Sequence, residues 1–161
     1  KRANMEENAE ITIRDLIKSS LRMRPDRIIV GEVRGGEAVD LLQALNTGHD
    51  GSLSTIHANS CEDMISRLET MVLMAFPLPV TAIRRQIASG VDIWVHLLRM
   101  KGGMRRVAEI AETDGMDGDE VRLRTLYLFD EDAGRLIRRG EVKHVRKLRR
   151  AEEAAERRRQ V

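Results

Sequence analysis

The residues with chemistry to offer lie between Arg22 and His57. Glu32 directly follows Ile28, Ile29, Val30 and Gly31. That short apolar β-branched run reads as a strand buried on both faces. It places a carboxylate where the chain leaves the interior, and a charge there is costly unless it meets a partner. A neighbouring glycine leaves room for phosphate and metal to approach the backbone. A magnesium ion held through water would offset the desolvation of the carboxylate. The plainer alternative is that Glu32 pairs with Arg34 or caps the helix starting near Glu37.

His49 and His57 lie in "NTGHDGSLSTIHANS", residues 46–60. Imidazole donates well to phosphoryl oxygens and can report whether a γ-phosphate is present. Standing alone, the two would equally be ordinary loop and strand-end residues. A mixed metal set of His49, Asp50, His57 and Cys61 fits no standard zinc spacing. His96, inside an apolar strand, reads as structural. Arg22, Arg24 and Arg27 lie just upstream of the strand. Guanidinium forks suit phosphate, and one supplied across a subunit boundary can stabilise a transferring phosphoryl group. Arg24 and Arg27 read as solvated surface charges.

The elements that must position these groups follow from pattern. Thr12 with Asp15 three residues on predicts a helix start, and Ile13, Leu16, Ile17 and Leu21 recur at helical spacing. Pro25 ends that helix. A strand at residues 27–30 and a loop containing Gly31, Gly35 and Gly36 come next. A second helix from Glu37 carries Ala38, Leu41, Leu42 and Leu45 and stops at Gly48. Residues 52–56 read as a strand ending at His57. A third helix starts near Ser60, and Val80, Ile83 and Ile87 mark a fourth, closed by Gly90. Helix and strand alternate with short links, which predicts an open, largely parallel α/β sheet. Ligands bind beyond the carboxyl ends of such strands, where Glu32 and His57 fall. The second half predicts antiparallel strands: a hairpin about Lys101-Gly102-Gly103, an acidic loop at 114–120, and a further strand in "VRLRTLYLF". Residues 141–160 are helix-prone and highly charged.

Composition narrows the class. The hydrophobic fraction is 42%, the charged fraction 34% and the aromatic fraction only 2%, so the core must be aliphatic. One cysteine excludes an internal disulfide and fits a reducing compartment. No stretch reaches the roughly 20 apolar residues that span a bilayer, and a soluble, cytoplasmic protein is expected. The net charge of +2 hides an asymmetry: from Arg138 onward there are 10 Lys/Arg against 4 Asp/Glu. Such a basic tail suits an anionic partner.

"LRMRPDRIIVGEVRGGEA" followed by "ALNTGHDGSLSTIHANS" resembles the type II/type IV secretion ATPase superfamily, and within it the branch that powers Flp/Tad pilus assembly. "RLETMVLMA", "AIRRQIASGVD" and "GGMRRV" extend the resemblance to about Phe129. It implies a RecA-like P-loop NTPase core, here the C-terminal portion over residues 1–129, then antiparallel strands and a basic, helical tail over residues 130–161. "RIIVGE" resembles the Walker B strand, so Glu32 would act in catalysis and hold Mg²⁺ through water. "TGHDGSLSTIHAN" resembles the His box, which implies that His57 is catalytic and that His49 contacts nucleotide. Arg22 matches a catalytic arginine associated with phosphate across the subunit interface, and Gly31 and Arg34 would contribute to the nucleotide site. ATP and Mg²⁺ are the implied cofactors. The implied assembly is a homo-hexameric ring, cytoplasmic and peripheral to the inner membrane, working with platform proteins of a pilus or secretion system.

The departures from the family pattern are as specific. No phosphate loop of the form G-x-x-x-x-G-K-S/T is present, nor is the acidic box between it and Walker B. "KRANMEENAEIT" resembles the loop after that box, and "MAFPLP" is a shortened linker. A fragment of a longer motor is expected, inactive by itself because backbone N–H groups and a lysine supply most of the phosphate binding in such enzymes. The competing readings are a non-catalytic truncated paralogue that binds a ring or an anionic surface, including anionic lipid through the basic tail, and a nucleic-acid binder. The last has almost no aromatic residues for base stacking.

Overall fold

The computed structural model describes residues 11–145 together with 149, 153 and 156. Helix α1 (Ile13–Arg22) starts where a capping box predicts it: the Asp15 N–H donates to Thr12 Oγ1 at 3.2 Å and the Thr12 N–H donates to Asp15 Oδ2 at 3.1 Å. Arg24 then adopts φ of 53° immediately before Pro25. Proline disfavours the right-handed helical region for the residue preceding it, so the chain turns there.

Strand β1 (Ile29–Val30) pairs in parallel with β2 (Leu53–Ser54), Ile29 opposite Leu53 and Val30 opposite Ser54. The ladder continues at both ends, with the Leu53 N–H on Ile28 O at 3.0 Å and the Val33 N–H on Thr55 O at 3.1 Å. Between the strands runs α2 (Ala38–Leu45), and after them α3 (Cys61–Ala75) and α4 (Val80–Gly90). Ser60 caps α3 by accepting from the Asp63 N–H. Asn46 ties α2 to α4, donating to Leu42 O and Gln86 O and accepting from Ser89 Oγ.

Burial corrects one expectation. Ile28 and Val30 are buried, but Ile29 is 72% exposed and Leu53 62%. This strand is buried on one face only, because the parallel sheet has just two described strands and the core helices lie against one side. The expected largely parallel sheet is therefore confined to β1 and β2. The larger sheet is antiparallel, in the order β3 (Ile93–Arg99), β4 (Arg105–Asp117), β5 (Glu120–Asp130), β6 (Arg135–Arg138). Gly102 and Gly103, both at positive φ, turn the β3–β4 hairpin as predicted.

Two sheet features differ from expectation. Residues 114–117 belong to β4 and not to a loop, with a register shift between Thr113 and Met116 where Gly115 has φ of 84°. Asp114 tolerates that position because Arg122, Arg124 and Lys143 all pair with it. The sheet also crosses the expected boundary at 129, since β6 pairs with β5 from Asp130–Arg135 to Tyr127–Arg138. The expected helix at 141–160 lies for the most part outside the described residues. Ile83 and Ile87 of α4 are fully buried and join one aliphatic cluster with α2, α3, Trp94 and Ala111. His96 is buried, in keeping with a structural role.

Candidate functional site

Parallel pairing brings the carboxyl ends of β1 and β2 side by side, which sets Glu32 beside His57. Glu32 Oε2 lies 2.7 Å from Arg34 Nη2, and Oε1 lies 2.8 Å from His57 Nε2. The carboxylate is 29% exposed while Arg34 and His57 are 75% and 83% exposed, so both side chains stand on its solvent side. The hydrogen bond from Arg34 holds the Glu32 carboxyl below the usual range against the opposing effect of desolvation. The same bond raises the Arg34 guanidinium. Pairing with Arg34, the plainer expectation, is thus met without emptying the site.

Oε1 is itself buried, with His57 Nε2 2.8 Å away. The Glu32 carboxylate, partly exposed at the strand end, fits a metal-bound water. Among the described residues no three His, Cys, Asp or Glu side chains come together as a metal cage. The donor set therefore suits Mg²⁺, which retains most of its waters and takes few protein ligands. It does not suit zinc. Cys61, from the mixed zinc set, is fully buried in the core. Burial, with the Glu109 carboxylate nearby, pushes its thiol up to about 12.

The loop after Glu32 is held by Glu37, whose Oε1 accepts from the Arg34 N–H at 2.8 Å and the Gly35 N–H at 3.2 Å. Desolvation opposes ionisation of Glu37, but these backbone donors prevail and its carboxyl lies below the ordinary value. A Cβ at Gly31 would meet nothing within 4 Å, whereas one at Gly36 would lie 2.5 Å from Ala75 Cβ. Gly36 is required by packing; the space at Gly31 is open to a ligand.

The remaining residues proposed from sequence lie elsewhere. His49 sits in the turn before β2, its Nδ1 3.2 Å from Thr47 Oγ1, and its carbonyl accepts from Ser52. Ser52 Oγ in turn accepts from the Ile28 N–H at the start of β1, so His49 belongs to the amino end of the strand pair. Arg22 is exposed on the last turn of α1, upstream of β1. Glu32, Arg34 and His57 come together; His49 and Arg22 do not join them. Sequence reasoning missed Glu37 and Thr55. The first could have been found from its three-residue spacing to Arg34. The second could have been found from its place two residues before His57, since a strand continued through both would set them on one side.

The type II/IV secretion system protein family matches residues 1–158. The chain belongs to that family. A "putative conjugal transfer protein" of Mycobacterium tuberculosis H37Rv is 43% identical over 134 residues, covering 83% of this chain and 37% of that relative. The conjugal transfer protein TrbB of Rhizobium radiobacter is 39% identical, covering 73% of this chain and 35% of TrbB. The crystal structure of the VirB11 ATPase from the Brucella suis type IV secretion system, in complex with sulphate, superposes with a TM-score of 0.60 at 39% identity. That match covers 63% of this chain and 32% of VirB11. The chain spans about a third of the length of these relatives. It shares an α/β fold with VirB11, and no helix among the described residues is long and apolar enough to cross a membrane.

Proposed function

We propose that the intact protein is a motor ATPase that hydrolyses ATP to drive type IV secretion, conjugal transfer or pilus assembly of the Flp/Tad kind, and that this chain is the RecA-like C-terminal part of the motor. The observation that carries this reading is the buried Oε1 of Glu32 at the carboxyl end of a parallel strand pair, 2.8 Å from an exposed imidazole. Glu32 would hold Mg²⁺ through its water shell, and the bound cation would supply neutralisation of phosphate charge. His57 and Arg34, at the same mouth, would donate to phosphate oxygens, and Gly31 would let the nucleotide close against the backbone. The distribution of charge along the chain also supports a ring lying at the cytoplasmic face of an inner membrane, its basic C-terminal segment suited to anionic lipid or a platform protein.

Arg22 serves the nucleotide of a neighbouring subunit in a hexamer, and His49 contacts nucleotide. The test is Mg²⁺-dependent ATP turnover. The intact protein should hydrolyse ATP and Glu32→Gln should lower kcat by about a hundredfold or more. The 161-residue chain by itself should show no turnover; activity there that vanishes in Glu32→Gln would refute the dependence on a separate phosphate loop.

A further inference from the structure

Thr55 holds both peptide groups that flank Glu32. Its hydroxyl donates to Gly31 O at 2.6 Å, and its carbonyl accepts the Val33 N–H at 3.1 Å. The first bond fixes the peptide entering Glu32, the second the peptide leaving it. Thr55 is exposed, so the hydroxyl is not placed there by packing. The ladder itself is short, since β1 and β2 share only two paired positions; Val30 and Val33 are anchored in the core, whereas Ile29 and Leu53 are both largely exposed. Two residues further along the chain is His57.

We infer that Thr55 is a positioning residue that locks the Glu32 carboxylate against the His57 imidazole, so that metal-bound water and phosphate meet a preset pair. This role rests on the ATPase reading above. The hydroxyl touches no reacting atom; it acts through the Glu32 backbone. Misplacing a catalytic carboxylate by about 1 Å costs up to roughly a hundredfold in rate. Losing one of two restraints is a milder lesion than that.

The experiment compares Thr55→Val, which keeps shape and strand preference but lacks the hydroxyl, with Thr55→Ser, which keeps the hydroxyl, both in the intact protein. Thr55→Val should lower kcat by about tenfold with KM for Mg-ATP within about twofold, and Thr55→Ser should stay within about twofold in both. Amide hydrogen exchange, followed without nucleotide, supplies the second readout. In Thr55→Val the Val33 amide should exchange at least about fivefold faster, while the Leu53 amide, bonded to Ile28 at the other end of the ladder, should not change. A Thr55→Val kcat within twofold of wild type overturns the inference. So does equal damage in Thr55→Ser, or exchange that quickens at Leu53 together with Val33. If the wild-type intact protein turns over no ATP, the ATPase reading fails, and the Val33 and Leu53 exchange rates still decide whether Thr55 clamps the strand end.

Discussion

The backbone N–H of Lys143 donates to Glu112 Oε2 at 2.8 Å, joining β4 to a segment 31 residues away in sequence. The His144 N–H donates to Oε1 of the same carboxylate at 2.9 Å, and His144 Nε2 lies 3.0 Å from Thr113 O. Glu112 is 1% exposed, and these donors are what make a buried carboxylate tolerable there. Removing it strands two N–H groups. Glu112→Ala should therefore lower the unfolding free energy by about 2 kcal/mol. It should also make the chain cleavable by trypsin at Lys143 under native conditions. A urea midpoint equal to that of wild type, with Lys143 still protected, would show that the junction holds without Glu112.

Asp114, next but one to Glu112, gives the fold a sign in acid. The Lys143 ammonium beside it, with Arg124, holds its carboxyl down to about 2. An unfolded aspartate titrates near 3.9. The depressed folded value means that its contribution is complete above about pH 4 and is lost as the pH falls toward 2. Chemical denaturation at stepped pH should show wild-type stability falling across that window, with a shallower fall in Asp114→Asn. Parallel curves for the two proteins would remove Asp114 from the acid response.

Gly31 and Gly36 stand five residues apart in one loop and should respond oppositely to alanine. At Gly36 the added Cβ meets Ala75 Cβ at 2.5 Å, an overpacking that costs about 1–3 kcal/mol. Gly36→Ala should melt earlier, and Ala75→Gly in the same protein should restore part of the loss. Gly31→Ala meets open space, so its melting temperature should stay within a degree or two, while ATP turnover of the intact protein falls as the methyl group crowds the nucleotide's approach. Normal turnover by a fully stable Gly31→Ala protein would argue that phosphate does not pass over that residue.

Local signals told most of this fold. Thr12 with Asp15, Ser60 and the Gly102-Gly103 pair announced element ends through chemistry confined to four or fewer residues. The meeting of Glu32 with His57 followed from helix and strand alternation, which dictates a parallel pair. What stayed hidden depends on distant parts of the chain. Ile29 reads as doubly buried because its neighbours are apolar, yet how many strands flank it is not written in those neighbours. Residues 114–117 look like an acidic loop until Lys143 supplies the charge that lets Asp114 remain in a strand. The hydroxyl of Thr55 has no motif of its own, and its partner Gly31 is 24 residues away.

His49 and Arg22 carry the last prediction, through their distance from Glu32. His49 precedes β2 while Glu32 follows β1, and the strand pair between them runs from Ile28 to Val33. At about 3.3 Å per residue that is on the order of 15 Å, which sets His49 and Glu32 at opposite ends of the strand pair. If Arg22 serves the nucleotide of a neighbouring subunit, an Arg22→Ala protomer lacks only the group it lends, and a Glu32→Gln protomer lacks only its own site. Each variant alone should be nearly inactive in ATP turnover. Mixed after subunit exchange, the two should recover a substantial share of activity, because an Arg22→Ala site flanked by a Glu32→Gln subunit regains both groups. Mixtures no more active than the average of the two separate variants would place Arg22 in its own subunit's site or outside catalysis.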